Sequence, residues 1–283
     1  MNSFLRMQTS LAFITRKFLF AFFYCFMPAT WDMENNFGGW LKGENYMKLF
    51  CMPWAGGASY CYDFWQKTVG IKVLPLEYPG HGTRLRETFA SDFSALVQDC
   101  LFQIAQQHGR EPFALFGHSM GALLAYECSR HLQNCNYSPT HLFVSGMCAP
   151  SCWEKNCVPI REDENVIERI KLLGGVPTEL LAHPELLGFF APIIKNDYHV
   201  LDTYHYFKKK MISCPITVFY GSADRIMYSE LEKWKEETVK GCDIYKYIGG
   251  HFFIKEHYYD IMNIIKLNLK CQHSELLDEP ICY

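Results

Sequence analysis

The pentapeptide Gly117-His118-Ser119-Met120-Gly121 sets a serine between two glycines, and its flanks give that serine a chemical meaning. Phe113-Ala114-Leu115-Phe116 reads as a short buried strand running into it, and Ala122-Leu123-Leu124-Ala125-Tyr126-Glu127 reads as a helix leaving it. A strand, a sharp turn and a helix make a nucleophile elbow, which lifts a serine hydroxyl to the top of a parallel sheet. The glycines answer a steric need. The nucleophile is held in strained backbone, and side chains at 117 and 121 would strike the neighbouring strand and helix. A serine in an ordinary glycine-rich turn would have no reason to carry these flanks.

A hydroxyl is a weak nucleophile at neutral pH, so Ser119 needs a base that is itself oriented by an acid, in the chain order Ser, Asp, His. The acid belongs in the turn after a late strand, and Ile216-Thr217-Val218-Phe219-Tyr220 ends in Gly221-Ser222-Ala223-Asp224. Asp224 is therefore chosen over Asp243, which begins a strand, and over Asp197 and Asp202, which lie outside the strand-helix alternation. The base belongs after the last strand, where Tyr245-Lys246-Tyr247-Ile248 runs into Gly249-Gly250-His251. His251 fits. His257 reads as part of the final helix and His273 as part of the tail, His118 as a packed ring beside the turn, and His81, in Pro79-Gly80-His81-Gly82, as structural. Acyl transfer also develops an oxyanion, which needs two converging backbone donors. Met120 N–H supplies one; the loop Pro53-Trp54-Ala55-Gly56-Gly57 supplies the other through Ala55, with Trp54 as the alternative.

These residues require a sheet to position them. From Met47 onward short apolar runs alternate with amphipathic ones, the pattern of an α/β fold with a mostly parallel sheet flanked by helices. Strands are predicted at 49–52, 72–76, 113–116, 142–145, 216–220 and 243–248. Phe93, Leu96, Val97, Cys100, Leu101 and Ile104 recur at helical spacing behind the caps Ser91 and Asp92, and Ile261, Ile264, Ile265 and Leu267 mark a last helix. Over 151–206 the alternation breaks. A helical pattern at 166–173 is stopped by Gly174-Gly175-Val176-Pro177, and apolar pairs such as Phe189-Phe190 follow, so this segment reads as a lid over the carboxyl edge of the sheet. The expected organisation is an N-terminal extension over 1–46, a hydrolase domain over 47–270 that includes the lid, and a polar tail over 271–283.

Composition excludes several classes. At 283 residues the chain suits one large α/β domain, and a net charge of −3 without Lys or Arg runs offers no footprint for nucleic acid or an anionic membrane. Thirteen cysteines without framework spacing, in a chain too large to need stapling, point to reduced thiols and a cytoplasmic protein. His141, Cys148, Cys152 and Cys157 lie close in sequence but lack a C-x-x-C pair, so no metal is expected, and no cofactor. Residues 18–27 form an apolar run behind Arg16-Lys17 that imitates a signal-peptide core; it is too short to span a membrane, which takes about 20 residues. An uncleaved extension, or a functional start at Met47, is the preferred reading.

Met52-Pro53-Trp54-Ala55-Gly56-Gly57, Tyr78-Pro79-Gly80-His81-Gly82-Thr83-Arg84, Gly117-His118-Ser119-Met120-Gly121-Ala122, Gly221-Ser222-Ala223-Asp224 and Gly249-Gly250-His251-Phe252-Phe253 together resemble the successive motifs of the type II thioesterases. Leu172-Leu173-Gly174-Gly175-Val176-Pro177 and the stretch from Pro192 through Asp197 to Tyr204 resemble their lid. The similarity covers about 47–270; Met52 stands where the family usually has Phe, and the segment before Met47 has no counterpart. The resemblance implies an α/β-hydrolase that cleaves acyl thioesters carried on phosphopantetheine. The work of such enzymes is release of medium-chain fatty acids or clearing of stalled acyl groups from polyketide and nonribosomal peptide synthases. It also implies an acyl carrier protein or peptidyl carrier domain as partner. The residues alone do not select sulfur over oxygen, so a carboxylesterase or lipase, and a silent hydrolase fold used for binding, stay open at this point.

Overall fold

The computed structural model describes residues 46–109, 111–156 and 184–277, all within the unit Tyr46–Tyr283. The N-terminal apolar run, Cys157, the helical pattern at 166–173 with its stop, and residues 278–283 lie outside the described residues.

Six strands form one sheet: β1 (Met47–Met52), β2 (Ile71–Pro75), β3 (Phe113–His118), β4 (Leu142–Ser145), β5 (Ile216–Gly221) and β6 (Cys242–Tyr247). Their order is β2-β1-β3-β4-β5-β6 and every neighbouring pair is parallel. Strands β1, β3 and β4 are buried along their whole length and are mostly apolar, whereas the edge strand β6 carries exposed Asp243, Tyr245 and Lys246. Pro75 closes β2 at the opposite edge, where a missing N–H costs no ladder bond. Alternate residues feed alternate faces. Phe50, Met52 and Leu115 pack with α1 (Phe93–His108) and α2 (Met120–Asn134), and Leu49, Cys51 and Phe116 pack with Tyr62, Trp65, Ile261 and Ile265.

Asp92 caps α1 by accepting Ala95 N–H at 2.8 Å. Beyond β4 come α3 (Pro150–Asn156), α4 (Pro184–Asp202), α5 (Tyr228–Glu232) and α6 (Tyr258–Leu277). Helix α6 corrects two expectations. His257 precedes it rather than lying inside it, with Nε2 2.8 Å from the Ile248 carbonyl. The helix also runs through Cys271 and His273 to Leu277, into the segment expected as tail, because no Gly or Pro interrupts the chain before Pro280. No helix among the described residues is long and apolar enough to cross a membrane.

The chain leaves β1 toward β2 on one side and returns to β3 on the other, so the carboxyl ends of β1 and β3 open a crevice at the switch in strand order, where open α/β sheets bind ligands.

His141, at the entrance to β4, is 2% exposed, stacks on Phe143 with ring centroids 4.2 Å apart, and places Nε2 2.8 Å from Thr217 Oγ1. Burial pushes its pKa down to about 3. Below pH ~6.5 the unfolded chain takes up a proton that the folded site refuses, so this group lowers stability as pH falls from there. Urea unfolding should show that His141→Asn loses about 1.5 kcal/mol less than the parent between pH ~6.5 and ~5; parallel curves would count against a neutral buried His141.

Candidate active site

One residue, Ser119, separates β3 from α2, and its backbone has φ 55° and ψ −124°. Two glycines enforce that bend. A Cβ on Gly117 would lie 2.0 Å from the Gly121 carbonyl oxygen, and one on Gly121 would lie 2.1 Å from that of Met52, across the ladder on β1. Ser119 N–H donates to the Ser145 carbonyl at 2.8 Å, and the Ser119 carbonyl accepts Ala122 N–H at 2.9 Å. The serine's own amide is thus committed to the end of β4. Met120 opens α2, so its N–H has no acceptor within the helix.

The loops after β5 and β6 are stitched together. Ser222 N–H donates to the Tyr247 carbonyl at 2.7 Å and Ala223 N–H to that of Gly249 at 2.8 Å. Gly221 makes room for this, since a Cβ there would meet the Gly250 carbonyl oxygen at 2.3 Å. The result brings His251 Nδ1 to 2.9 Å from Asp224 Oδ2, while Asp224 Oδ1 accepts Arg225 N–H at 2.8 Å. The Asp224 side chain is 4% exposed and that of His251 12%. Because the carboxylate accepts at Nδ1, a neutral His251 carries its proton there and presents a basic Nε2, which has no hydrogen-bond partner among the described residues. Nor is Ser119 Oγ hydrogen-bonded to His251 among them.

His118 fills the space behind the elbow. It is fully buried, with its ring centroid 5.1 Å from that of His251 and 5.6 Å from those of Trp54 and Phe252. Nδ1 lies 2.9 Å from Ser145 Oγ, and Nε2 has no partner among the described residues. Burial, reinforced by the nearby charges of His251 and Lys255, holds its pKa well below the ordinary histidine value, so His118 is neutral.

After β1, Gly57 N–H donates to the Trp54 carbonyl at 2.8 Å, closing a turn with Gly56 third at φ +75°. The Tyr62 and Tyr78 hydroxyls brace its start by donating to the Met52 and Pro53 carbonyls at 2.7 and 2.9 Å. Ala55 N–H makes no hydrogen bond among the described residues. Trp54 contributes its carbonyl to the turn and its ring to the packing around His118.

The structure adds a pair that sequence reading set aside. His81 Nε2 lies 2.9 Å from Asp197 Oδ2, both side chains are 2% exposed, and His81 Nδ1 lies 3.0 Å from the Pro79 carbonyl. Both ring nitrogens face acceptors, which calls for a proton on each. Burial opposes that charge, but the hydrogen bond and charge of Asp197 outweigh it and raise the pKa. With both nitrogens engaged, His81 has no site for a further proton. The only sequence signal for Asp197 was its place in the lid-like stretch. Of the residues considered for a metal, His141 bonds Thr217 and Cys148 is buried; among the described residues no three His, Cys, Asp or Glu side chains gather to hold an ion.

A thioesterase-domain family model matches residues 47–268. The chain belongs to the thioesterase family. It is 33% identical over 229 residues to the gramicidin S biosynthesis protein GrsT of Aneurinibacillus migulanus, covering 79% of this chain and 89% of that protein. It is 32% identical over 231 residues to the medium-chain S-acyl fatty acid synthase thioesterase of Homo sapiens, covering 78% and 86%. The solved type II thioesterase BorB from the borrelidin biosynthetic cluster superposes with a TM-score of 0.72 at 31% identity, covering 80% of this chain and 94% of that one. This thioesterase is therefore an acyl thioester hydrolase of the type II group, on an α/β-hydrolase fold.

Among the described glycines, the two of the elbow leave the least room from surrounding backbone for a side chain. Gly117→Ala presses a methyl group into backbone rather than into a movable side chain. Thermal or urea unfolding should show a loss of about 3 kcal/mol or more. A Gly117→Ala protein as stable as the parent would contradict the contact.

Proposed function

We propose that Ser119, His251 and Asp224 act as a catalytic triad and that the Ala55 and Met120 amides form the oxyanion hole. The acyl thioesters they hydrolyse are carried on the phosphopantetheine of an acyl or peptidyl carrier domain. The observation that carries this reading is the division of His251: Nδ1 is tied to buried Asp224, and Nε2 is left free at the edge of the sheet where the elbow presents Ser119.

In the first half-reaction Ser119 Oγ attacks the thioester carbonyl while His251 Nε2 takes its proton, and negative charge gathers on the carbonyl oxygen facing the two amides. Collapse breaks the C–S bond, and His251 returns the proton to the departing sulfur, leaving an acyl-serine and a free thiol. Water then attacks the acyl-serine with His251 again as base, giving a carboxylic acid and restoring Ser119. Asp224 holds the imidazole in the tautomer both halves need and stabilises it when protonated.

Carrier domains as partners are supported by relatives whose names place them in gramicidin S biosynthesis and at fatty acid synthase. A cytoplasmic setting accords with the free thiols of Cys51, Cys100 and Cys128 deep in the core.

A fluorophosphonate probe should label Ser119 in the parent and nothing in Ser119→Ala. His251→Ala should cut turnover by about four orders of magnitude while the protein stays folded. Steady-state kinetics on acyl-pantetheine thioesters against matched oxygen esters should favour the thioesters. A preference for the esters would make this an esterase, and no labelling of the folded parent would make it a binding module.

A further inference from the structure

The loop that carries Ala55 is held by two buried acidic side chains from elsewhere in the chain. Glu77 accepts Ser59 N–H at 3.0 Å and Ser59 Oγ–H at 2.8 Å, holding the end of the loop that follows the turn. Asp197, on α4, takes Gly56 N–H on Oδ2 at 2.6 Å. One helical turn earlier Ile194 occupies the space that a Cβ on Gly56 would need, 2.4 Å from its Cγ1. Helix α4 therefore meets this loop at two points, one polar and one apolar, and Asp197 is itself anchored by His81.

The polar contact acts on an informative bond. The two common forms of such a turn differ by a flip of the central peptide, here the one between Ala55 and Gly56, and the positive φ of Gly56 marks which form is present. Gly56 N–H belongs to that peptide. A flip would turn the Ala55 carbonyl toward the Asp197 carboxylate in place of the N–H, setting two negative oxygens face to face.

We propose that Asp197, clamped by His81, is a positioning residue for the oxyanion hole: by holding Gly56 N–H it anchors the turn from α4 and so fixes the place of Ala55, whose own N–H lies in the preceding Trp54–Ala55 peptide. This rests on the proposed role of Ala55 and extends it. Asp197 touches no reacting atom; it makes the oxyanion donor a property of α4 as well as of the loop. An acyl chain that displaced α4 would be felt at the oxyanion hole directly.

The test uses the full chain with Asp197→Ala and the isosteric Asp197→Asn, which keeps an acceptor oxygen and loses the charge. Turnover and KM are measured with an acyl-pantetheine thioester, affinity with an alkyl trifluoromethyl ketone, whose hemiketal oxygen on Ser119 occupies the hole. Removing a whole oxyanion donor costs roughly 10²–10³ in turnover, so mispositioning one should lower kcat by about tenfold in Asp197→Asn and about a hundredfold in Asp197→Ala. KM should stay within about threefold, and ketone affinity should fall in step with kcat. A purely structural role would lower the unfolding temperature and leave kcat per fluorophosphonate-titrated site and ketone affinity at parent values; that result overturns the proposal. Should Asp197→Ala fail to fold, Asp197→Asn decides alone, by the same two readouts. The ketone reports on Ser119 whatever the acyl carrier, so a wrong substrate class leaves the test intact. A parent that binds no ketone and takes no fluorophosphonate overturns the triad together with this inference.

Discussion

At Ser119 the backbone turns from strand to helix within a single residue, at φ 55°, in a region where a non-glycine residue costs on the order of 1–3 kcal/mol. Such a conformation persists only when its surroundings leave no alternative. Here the Gly121 backbone presses against the Met52 carbonyl and that of Gly117 against the first turn of α2. The bend therefore needs β1 beside β3, and the pairing of Gly117 with Met52 provides it. Once β1 lies there, its outgoing loop must emerge next to Ser119. With β2 paired to the other side of β1, the strand order switches between β1 and β3, so the crevice at the switch point and the strained serine share the β1–β3 contact.

Two histidine–carboxylate pairs with near-identical separations show how surroundings divide chemistry. His81–Asp197 and His251–Asp224 both measure 2.9 Å. In the first, the second ring nitrogen meets the Pro79 carbonyl; in the second, it meets nothing among the described residues. A ring with acceptors on both sides is an anchored cation, while a ring with one side open is available as a base. The first pair holds a helix and a loop in register. The second is suited to moving protons.

Much of this was legible in the sequence. Six strands and their order along the chain were readable because each is a short apolar run bounded by Gly, Pro, Asp or Ser. The pairing of Asp224 with His251 was readable because both lie in loops that follow neighbouring strand ends. What escaped was either local or very long-range. The start of α6 after His257 and its continuation to Leu277 depended on where a helix stops without a breaker, which periodicity alone does not mark. The Asp197–His81 contact joins residues 116 apart from segments with no shared pattern, and neither residue lies at the end of a strand. Its partner Gly56 bonds through the backbone, which has no letter in a sequence.

The position of His118 explains why a third histidine is compatible with this arrangement. In the proposed mechanism His251 becomes an imidazolium twice per turnover, and the His118 ring lies 5.1 Å from it. A charge on His118 would oppose each of those protonations at close range in a region shielded from water. Complete burial, with Trp54 and Phe252 against the ring, prevents that charge, and the hydrogen bond to Ser145 Oγ is one a neutral imidazole can make. Ser145 also supplies the carbonyl that receives Ser119 N–H. The end of β4 therefore holds the elbow through its backbone and the neutral ring through its side chain. Ser145 thus ties the strained turn at Ser119 to the neutral ring that lies beside His251.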